Sequence, residues 1–256
     1  MIPAERQKTI LTLLSKQEVI SINELVEHIN VSHMTIRRDI AKLEQQGKVI
    51  SVSGGVQLTQ LIHREAPHNT KAAQRADKKQ SIGQLASSLI PQHCTVYLDA
   101  GTTTLEIAHA IAHRQDLLII TNDFVIANHL MHNGSSEIYH TGGRIDRDNQ
   151  SSVGGKVADF LAGMNIDLAF ISTSSWNLKG ISTPSEPKVI VKQAVAKAAQ
   201  QLVLVSDSSK YGKIGTFHAL ALEQFSTIVT DDEFPDSIAR EITDRGIKVI
   251  AVKSTV

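Results

Sequence analysis

Short apolar segments alternate with amphipathic stretches after Pro91, and this alternation limits the possible folds more than any other feature of the chain. The apolar segments, rich in β-branched residues, are 95–98, 117–120, 137–140, 168–172, 202–206, 227–230 and 248–252. The amphipathic stretches lie near 104–113, 124–131, 156–161, 187–200 and 235–245. Strands that alternate with helices predict an α/β domain, built on a mostly parallel sheet with helices on both faces.

The first 58 residues predict a different architecture, short helices followed by a β-hairpin. Ser21-Ile-Asn-Glu24 is a capping box, and Ser32 is a suitable N-cap for the helix that follows it. Gly47 fits the C′ position that ends this helix, and the valine-rich residues 48–58 with Gly54-Gly55 predict the hairpin. Because another helix is predicted over residues 3–16, the order of elements is that of a winged helix-turn-helix domain.

The third predicted helix, 32–46, has one apolar face and one face suited to a DNA groove. Ile36, Ile40 and Leu43 repeat at helical spacing, so they are expected to face a core. The opposite face carries side chains that can bond to base edges or to phosphate. We therefore expect DNA contacts from Ser32, His33, Thr35, Arg37, Arg38, Lys42, Lys48, Gly54 and Gly55. The alternative is a merely solvated face, whose basic groups are neutralised by carboxylates of the same helix, Asp39 and Glu44.

The distribution of charge agrees with a DNA-binding N-terminal region. The chain has 26 basic and 26 acidic residues, but they are unevenly placed. Residues 1–58 carry seven Lys and Arg against six Asp and Glu, a net +1, and residues 59–82 carry five against two, a net +3. Residues 83–256 carry 14 against 18, a net −4. A mildly basic front is thus attached to an acidic body, an asymmetry that the zero net charge of the whole chain conceals.

The segment Val31-Ser-His-Met-Thr-Ile-Arg-Arg-Asp-Ile-Ala-Lys-Leu-Glu44 resembles the DNA-binding signature of the DeoR family of bacterial transcriptional regulators. The resemblance includes Gly47 and Gly54-Gly55 and rests on Ser32, Thr35, Ile36, Arg37, Arg38, Asp39 and Leu43 at the family's spacing. The chain departs from the family at Ser53, where a histidine is usual. This departure bears on a DNA contact by position 53 of the wing and does not affect the predicted fold.

Polar loops follow four of the predicted strands. The first, Asp99-Ala-Gly-Thr-Thr-Thr104, opens a helix, so its N–H and hydroxyl donors suit an anion. The others are Thr121-Asn-Asp123, Thr141-Gly-Gly-Arg144 and Asp207-Ser-Ser-Lys210-Tyr-Gly212. Ligands of open α/β sheets bind at the carboxyl ends of strands, and convergent donors with one lysine favour a phosphorylated or carboxylated polyol. For the first loop, a threonine-capped turn without a ligand is the alternative.

These loops also resemble the effector domain of the DeoR family, which has a ribose-phosphate-isomerase-like fold and senses phosphorylated sugars. The resemblance implies effector contacts from Asp99, Gly101, Thr102, Thr103, Asn122 and Lys210. The chain departs from the family at Ser172-Thr-Ser-Ser-Trp-Asn177, where many members have a glycine-rich turn, and this departure favours a sugar acid or its phosphate. Trp176 either lines the pocket or covers the core.

A sugar-phosphate isomerase fused to a DNA-binding module is the alternative function. Isomerisation needs a carboxylate base and groups that stabilise an enediolate. Isomerases of this fold have an acidic turn where this chain has Ser174-Ser-Trp-Asn177, which contains no carboxylate. Asp99 and Glu186 remain as candidate bases, but we expect no catalytic residue and no enzymatic activity.

Composition disfavours several other classes of protein. No apolar run approaches the roughly 18–20 residues that cross a membrane, and the first 16 residues lack the apolar region of a signal peptide. Cys94, the single cysteine, is expected to be a buried thiol and suits a reducing cytoplasm. The histidine pairs His109/His113 and His129/His132 lack the partners of a metal site, so neither a metal nor a cofactor is expected.

Together these features predict a cytoplasmic regulator with a winged helix-turn-helix over 1–58, a polar linker over 59–70 and an effector-binding and oligomerisation domain over 71–256. A helix near 71–89 is expected to contribute to assembly. We expect a repressor of a carbohydrate or sugar-acid operon, released from operator DNA by a phosphorylated sugar or sugar acid. Because one winged helix covers few base pairs, we expect a homo-oligomer, either a dimer or a tetramer.

Overall fold

The computed structural model describes residues 1–17, 19–52 and 54–253. Its α-helices are α1 (Pro3–Leu14), α2 (Ile22–Ile29), α3 (His33–Gln45), α4 (His68–Ala73), α5 (Ala76–Ser87), α6 (Thr102–Ile111), α7 (Phe124–Asn133), α8 (Gly155–Leu161), α9 (Glu186–Ala198) and α10 (Asp236–Asp244). Its strands are β1 (Val49–Val52), β2 (Gly55–Leu58), β3 (Gln60–Ile62), β4 (Thr95–Leu98), β5 (Leu118–Thr121), β6 (Glu137–His140), β7 (Arg144–Asp146), β8 (Ser151–Val153), β9 (Ile166–Ser172), β10 (Ser175–Asn177), β11 (Gly180–Thr183), β12 (Ala199–Val205), β13 (Lys213–Gly215), β14 (Phe217–Ala221), β15 (Thr227–Asp231) and β16 (Lys248–Val252).

The N-terminal region is a winged helix-turn-helix, as predicted. Helices α1, α2 and α3 surround one apolar core, and β1 and β2 form the antiparallel hairpin of the wing. The predicted apolar face of α3 is buried: Ile36, Ile40 and Leu43 are at most 4% exposed. They pack against residues from the other helices and the wing, among them Ile10, Leu25, Val49 and Val56.

Local hydrogen bonds explain where these helices begin and end. At the start of α2, Ser21 Oγ accepts from the N–H of Glu24 at 3.1 Å, and Glu24 Oε2 accepts from the N–H of Ser21 at 2.7 Å. Helix α2 ends at Asn30, whose φ of 56° is left-handed, and Ser32 caps α3. After α3, Gly47 takes a φ of +71°, a conformation that glycine adopts without the steric cost of a side chain.

A seven-stranded parallel sheet forms the centre of the remaining chain, and the predicted α/β fold is confirmed. Its strand order is β16-β15-β12-β9-β4-β5-β6, and each of the seven predicted apolar segments forms one strand. Helices α5, α6 and α7 cover one face, where Val96, Leu98 and Phe170 point toward them. Helices α8, α9 and α10 cover the other face, where strand residues such as Tyr97 and Ala169 pack against them. All the polar loops that follow these strands therefore lie at one edge.

Residues 59–70, predicted as a polar linker, are part of the larger fold. Strand β3 pairs in parallel with β13, which lies about 150 residues later, and its register joins Gln60 to Lys213 and Ile62 to Gly215. Helix α4 begins within the same stretch at His68. The single helix predicted over 71–89 is divided between α4 and α5, because the chain turns at Arg75, which has a φ of 51°.

Short antiparallel strands around the main sheet were not predicted from the sequence. Strands β10, β11 and β14 form one small sheet, and β7 and β8 form a hairpin. Trp176, in β10, is fully buried; its Nε1–H donates to Ser206 Oγ at 3.1 Å, and its ring stacks on Phe234. Trp176 therefore covers the core and does not line the pocket described below.

Further observations concern the cysteine, the histidines and the lengths of the helices. Cys94 is buried, and this burial raises the pKa of its thiol. His109 pairs with Glu106 at 3.0 Å and contacts the ring of His129. Within the described residues, no group of three or more potential metal ligands is assembled, and no helix is long and apolar enough to cross a membrane.

Candidate functional site

Helix α3 presents a basic face that is free of ion pairs. Arg37, Arg38 and Lys42 are exposed, and none of the salt bridges among the described residues involves them. Met34 beside them is 71% exposed. An exposed helix face with unpaired guanidinium and ammonium groups suits the major groove and phosphates of DNA.

The two carboxylates of this helix are engaged elsewhere. Asp39 is 1% exposed and lies 2.7 Å from Nε of Arg6 in α1, and Gln7 donates to its other oxygen at 3.3 Å. Glu44 accepts from the N–H of Ser51 in the wing at 2.5 Å. Neither carboxylate neutralises the basic face, so the alternative is wrong in pairing these basic groups with Asp39 and Glu44.

The predicted polar contacts at the start of α3 lie together on the surface. Ser32 Oγ accepts from the N–H of Thr35 at 3.3 Å, and the two hydroxyl oxygens are 3.0 Å apart. His33 Nε2 is 3.0 Å from Asn23 Oδ1 in α2. The first turn of α3 therefore offers hydroxyls and free helix N–H groups to an approaching phosphate.

The wing contributes two glycines whose roles differ. Gly54 is exposed at the turn, has a φ of +88° and has open space around it. Gly55 packs against the backbone just before α2. A β-carbon at this position would lie 2.3 Å from the carbonyl oxygen of Ile20. Gly55 is therefore required by packing within the domain, although it is also part of the predicted DNA-binding set. Lys48 is exposed, and Ser53 lies outside the described residues.

A pocket lies at the carboxyl ends of β4, β5, β9 and β12. It is lined by Glu65, Lys71, Lys79, Asp99, Ala100, Gly101, Thr102, Thr103, Asn122, Ser151, Val153, Ser172, Thr173, Ser174, Thr183, Lys188, Val191, Lys192 and Lys210. All six residues predicted to contact an effector are among them. The predicted Thr141–Arg144 loop is not; in its place, Ser151 and Val153 of the hairpin β7–β8 line the pocket.

Asp99 organises one side of this pocket. Its carboxylate forms an ion pair with Lys192 of α9 and accepts from the N–H of Ser172 at 3.2 Å. Lys192 also donates to the carbonyl oxygen of Ser172 at 2.7 Å. This network joins β4, β9 and α9, and it holds a lysine against the pocket from a helix that sequence analysis did not connect to the site.

The start of α6 supplies the pocket's free donors. Thr102 and Thr103 are buried in the first helical turn, and within the described residues no hydrogen bond occupies their hydroxyls. Gly101 before them allows close packing, since a β-carbon there would lie 2.2 Å from Ser172 Oγ. Buried donors at a helix N-terminus favour an anion.

Asn122 lines the pocket, and its side chain makes three hydrogen bonds within the protein. Its Oδ1 accepts from the hydroxyl of Tyr97 at 2.8 Å and from the N–H of Ala100 at 3.0 Å. Its Nδ2 donates to the carbonyl oxygen of Ser152 at 2.9 Å. Asn122 therefore fixes the loops around the pocket, and the direct effector contact that the resemblance implies stays a prediction.

Lysine is the dominant charged residue of the pocket. Five lysines line it, at positions 71, 79, 188, 192 and 210, against two carboxylates, Glu65 and Asp99. Of these seven residues, only Asp99 and Lys210 are among the effector contacts predicted from the sequence. Burial lowers the pKa of Lys71, and it lowers the pKa of Lys79 to about 8. Partly desolvated ammonium groups in excess over carboxylates create a site for a negatively charged ligand.

Two buried hydroxyls in the pocket have unused hydrogen-bonding capacity. Ser151 Oγ and Ser174 Oγ are inaccessible to solvent and have no partner among the described residues. Buried polar groups are normally hydrogen-bonded, so an unpaired one beside a pocket points to a polar ligand. The pocket thus combines cationic, helix N-terminal and hydroxyl groups, as a polyhydroxylated anion requires.

Two family models match the chain in consecutive segments. Residues 6–60 match a DeoR-like helix-turn-helix domain, and residues 74–232 match a DeoR C terminal sensor domain. An HTH-type transcriptional regulator of Haemophilus influenzae is 54% identical over 98% of both chains. The glycerol-3-phosphate regulon repressor of Escherichia coli is 29% identical, over 96% of this chain and 97% of its own length. Among solved structures, ribose 5-phosphate isomerase A of Methanocaldococcus jannaschii matches 53% of this chain and 54% of its own, with 15% identity and a TM-score of 0.40.

Proposed function

The chain belongs to the DeoR family of transcriptional regulators, and on this premise we propose that it represses an operon for the breakdown of a carbohydrate or sugar acid. Helix α3 binds the operator, and a phosphorylated sugar or sugar acid in the pocket releases the protein from DNA. The effector can do so only by binding the two conformations unequally, with a coupling of about 1–3 kcal/mol in typical cases.

The unpaired basic face of α3 supports the DNA-binding half of this proposal. Arg37, Arg38 and Lys42 are exposed on one side of the helix, while Asp39 and Glu44 are bonded to other elements. Their charges are therefore available to phosphates and guanine edges. Ser32, His33 and Thr35 at the start of the helix, with Lys48 and Gly54 near the wing, complete the proposed surface.

The excess of lysines in the pocket is the observation that carries the effector half. Five ammonium groups face two carboxylates in a site that also holds the first turn of α6. Asp99, Gly101, Thr102, Thr103 and Lys210 remain the proposed contacts, with Asn122 as their support. A relative named for a regulon of glycerol 3-phosphate, a phosphorylated polyol, agrees with an anionic effector.

The arrangement of carboxylates argues for binding without turnover. Both carboxylates of the pocket form ion pairs with lysines, Asp99 with Lys192 and Glu65 with Lys188 and Lys71. Glu186, the other candidate base, is exposed and does not line the pocket. A general base needs a carboxylate that is free to accept a substrate proton, whereas both pocket carboxylates are held by ammonium groups. Turnover of a pentose phosphate by the pure protein would contradict this part of the proposal.

The experiment that tests the function is a gel shift with DNA from the protein's own promoter region. We expect binding that exceeds binding to a shuffled duplex of equal length, and release by at least one member of a panel of sugar phosphates and sugar acids. Half-sites spaced by helical turns would agree with a homo-oligomer. Equal affinity for both duplexes, or no release by any compound, would overturn the proposal.

A further inference from the structure

Glu65 is a buried carboxylate that lies among the lysines of the pocket. Its side chain is 9% exposed, and its Oε2 lies 2.7 Å from Nζ of Lys188 and 3.2 Å from Nζ of Lys71. Its Oε1 accepts from the hydroxyl of Thr183 at 3.1 Å. Burial alone would raise the pKa of Glu65, but the two ammonium groups outweigh burial and hold the pKa well below its usual range.

This carboxylate comes from the segment that leads out of the wing. Thr59, after β2, donates to the carbonyl oxygen of Lys48 at 3.0 Å, and β3 follows immediately. Glu65 lies three residues after the end of β3. A displacement of its backbone is therefore passed directly to a strand that continues from the DNA-binding hairpin.

Strand β3 is also tied to the loop that carries Lys210. Its partner β13 begins at Lys213, directly after Gly212, against which Ile50 of the wing packs. Two routes thus connect the pocket with the wing, one through the chain from Glu65 and one through β13. Both routes include β3. The ion pairs of Glu65 fix the chain just after the C-terminal end of this strand.

We propose that Glu65 is an intramolecular competitor of the effector, and that an anionic ligand displaces it from Lys71 and Lys188 and thereby releases β3. This inference rests on the proposed function, because it concerns the same pocket. A ligand phosphate or carboxylate requires the same ammonium groups as Glu65, and two anions at one buried site repel each other. Binding of the ligand therefore breaks the ion pairs of Glu65 with Lys71 and Lys188. The loss of these ion pairs links occupancy of the pocket to the position of β3, beside the wing.

Calorimetric titration with inorganic phosphate, at fixed pH and low ionic strength, tests the competition. Glu65→Gln removes the competing charge, so we expect it to bind phosphate at least tenfold more tightly than the wild type. Glu186→Gln is the matched control: it removes the same charge from an exposed position two residues before Lys188, and its phosphate affinity should equal that of the wild type. If Glu65→Gln does not fold, Glu65→Asp, which withdraws the carboxylate by one methylene, should bind phosphate more tightly than the wild type.

Equal or weaker phosphate binding by the folded Glu65 variant would overturn the competition while leaving the anion site intact. Phosphate binding by neither protein would overturn the proposed effector site as well. Amide hydrogen exchange tests the release of β3: phosphate should accelerate exchange at residues 60–62 of the wild type, and Glu65→Gln should exchange rapidly there without phosphate. Unchanged exchange in the wild type at saturating phosphate would contradict the link to the wing.

Discussion

Ile50 in the wing and Gly212 in the loop after β12 are packed so closely that no side chain fits at position 212. A β-carbon on Gly212 would lie 1.8 Å from Cδ1 of Ile50, and the glycine also has a φ of +79°. Lys210, two residues earlier, lines the pocket. The contact between Ile50 and Gly212 therefore connects the loop of the proposed effector site directly with the DNA-binding hairpin.

Gly212→Ala should separate the wing from this loop. Overpacking typically costs about 1–3 kcal/mol, and we expect a loss of stability at the upper end of that range because the backbone is strained as well. Gly246→Ala is the control, since Gly246 has a φ of +87° but open space around its α-carbon. Urea unfolding of both variants isolates the contact with Ile50. Equal losses in the two variants would mean that backbone strain alone matters.

Arg38→Ala should weaken operator binding by about 1–3 kcal/mol if the guanidinium reads a base. Arg240→Ala removes the same charge from an exposed position of α10 and should leave the operator affinity unchanged. Fluorescence anisotropy at several salt concentrations measures both affinities. An unchanged affinity in Arg38→Ala would argue against α3 as the recognition helix.

Asp39→Ala should destabilise the N-terminal domain, because it leaves Arg6 partly buried without its partner. The side chains of Asp39 and Arg6 are 2% and 14% exposed, and breaking a buried pair costs about 3–5 kcal/mol. Asp159→Ala removes an exposed partner, 3.4 Å from Lys156, and should change stability by less than about 1 kcal/mol. Denaturant midpoints followed by circular dichroism distinguish the two. Similar midpoints would show that the pair of Asp39 is dispensable.

Anion affinity should fall as the pH rises through about 8, because Lys79 loses its charge there. Burial lowers its pKa in the folded protein to about 8, from the ordinary lysine value of 10.5. Lys79 is thus charged below pH 8 and neutral above it, where it no longer attracts an anion. Sulfate is the suitable probe, since its own charge is constant in this range, and calorimetry from pH 7 to 9.5 gives the profile. In the Lys79→Gln variant, the sulfate affinity should depend much less on pH. If the variant keeps the pH profile of the wild type, another group is responsible for it.

The same shift affects stability in the opposite direction. Between pH 8 and 10.5 the unfolded chain retains the proton of Lys79 that the folded protein has lost, so the free energy of unfolding contributed by this group rises with pH. Below pH 8 both states are protonated, and the cost of burying the charge is fully present. Lys79→Gln should remove this rise, which thermal unfolding at pH 7.5 and 9.5 would detect as a smaller difference than in the wild type.

The sequence predicted the elements whose signals are local. Capping residues such as Ser21 and Ser32 act within one turn, and the strands of the parallel sheet are continuous apolar runs, so both could be identified from pattern alone. Strand β3 could not, because it consists of three residues and depends on pairing with β13 far along the chain. Its polar neighbours and Pro67 were the features that predicted a linker.

The pocket was predicted in outline but without most of its charge. Loops that follow strands could be placed at one edge of the sheet by topology, which located Asp99, Thr102 and Lys210. Lys188 and Lys192 lie on a helix, where periodicity does not distinguish a solvated lysine from one that faces a pocket. The only signal for these two lysines was their spacing of four residues along the helix. For Lys71 and Lys79, the signal was the net charge of +3 over residues 59–82.

The measurement that tests the central claim most directly is the operator affinity of wild type and Lys210→Ala, each with and without the most effective compound of the panel. We predict equal affinities without the compound, because Lys210 is not part of the proposed DNA-binding surface. We also predict that the compound lowers operator affinity about 5- to 150-fold in the wild type and much less in Lys210→Ala. Parallel loss of operator binding and of the response in the variant, or an undiminished response, would contradict an effector pocket separate from the DNA-binding surface.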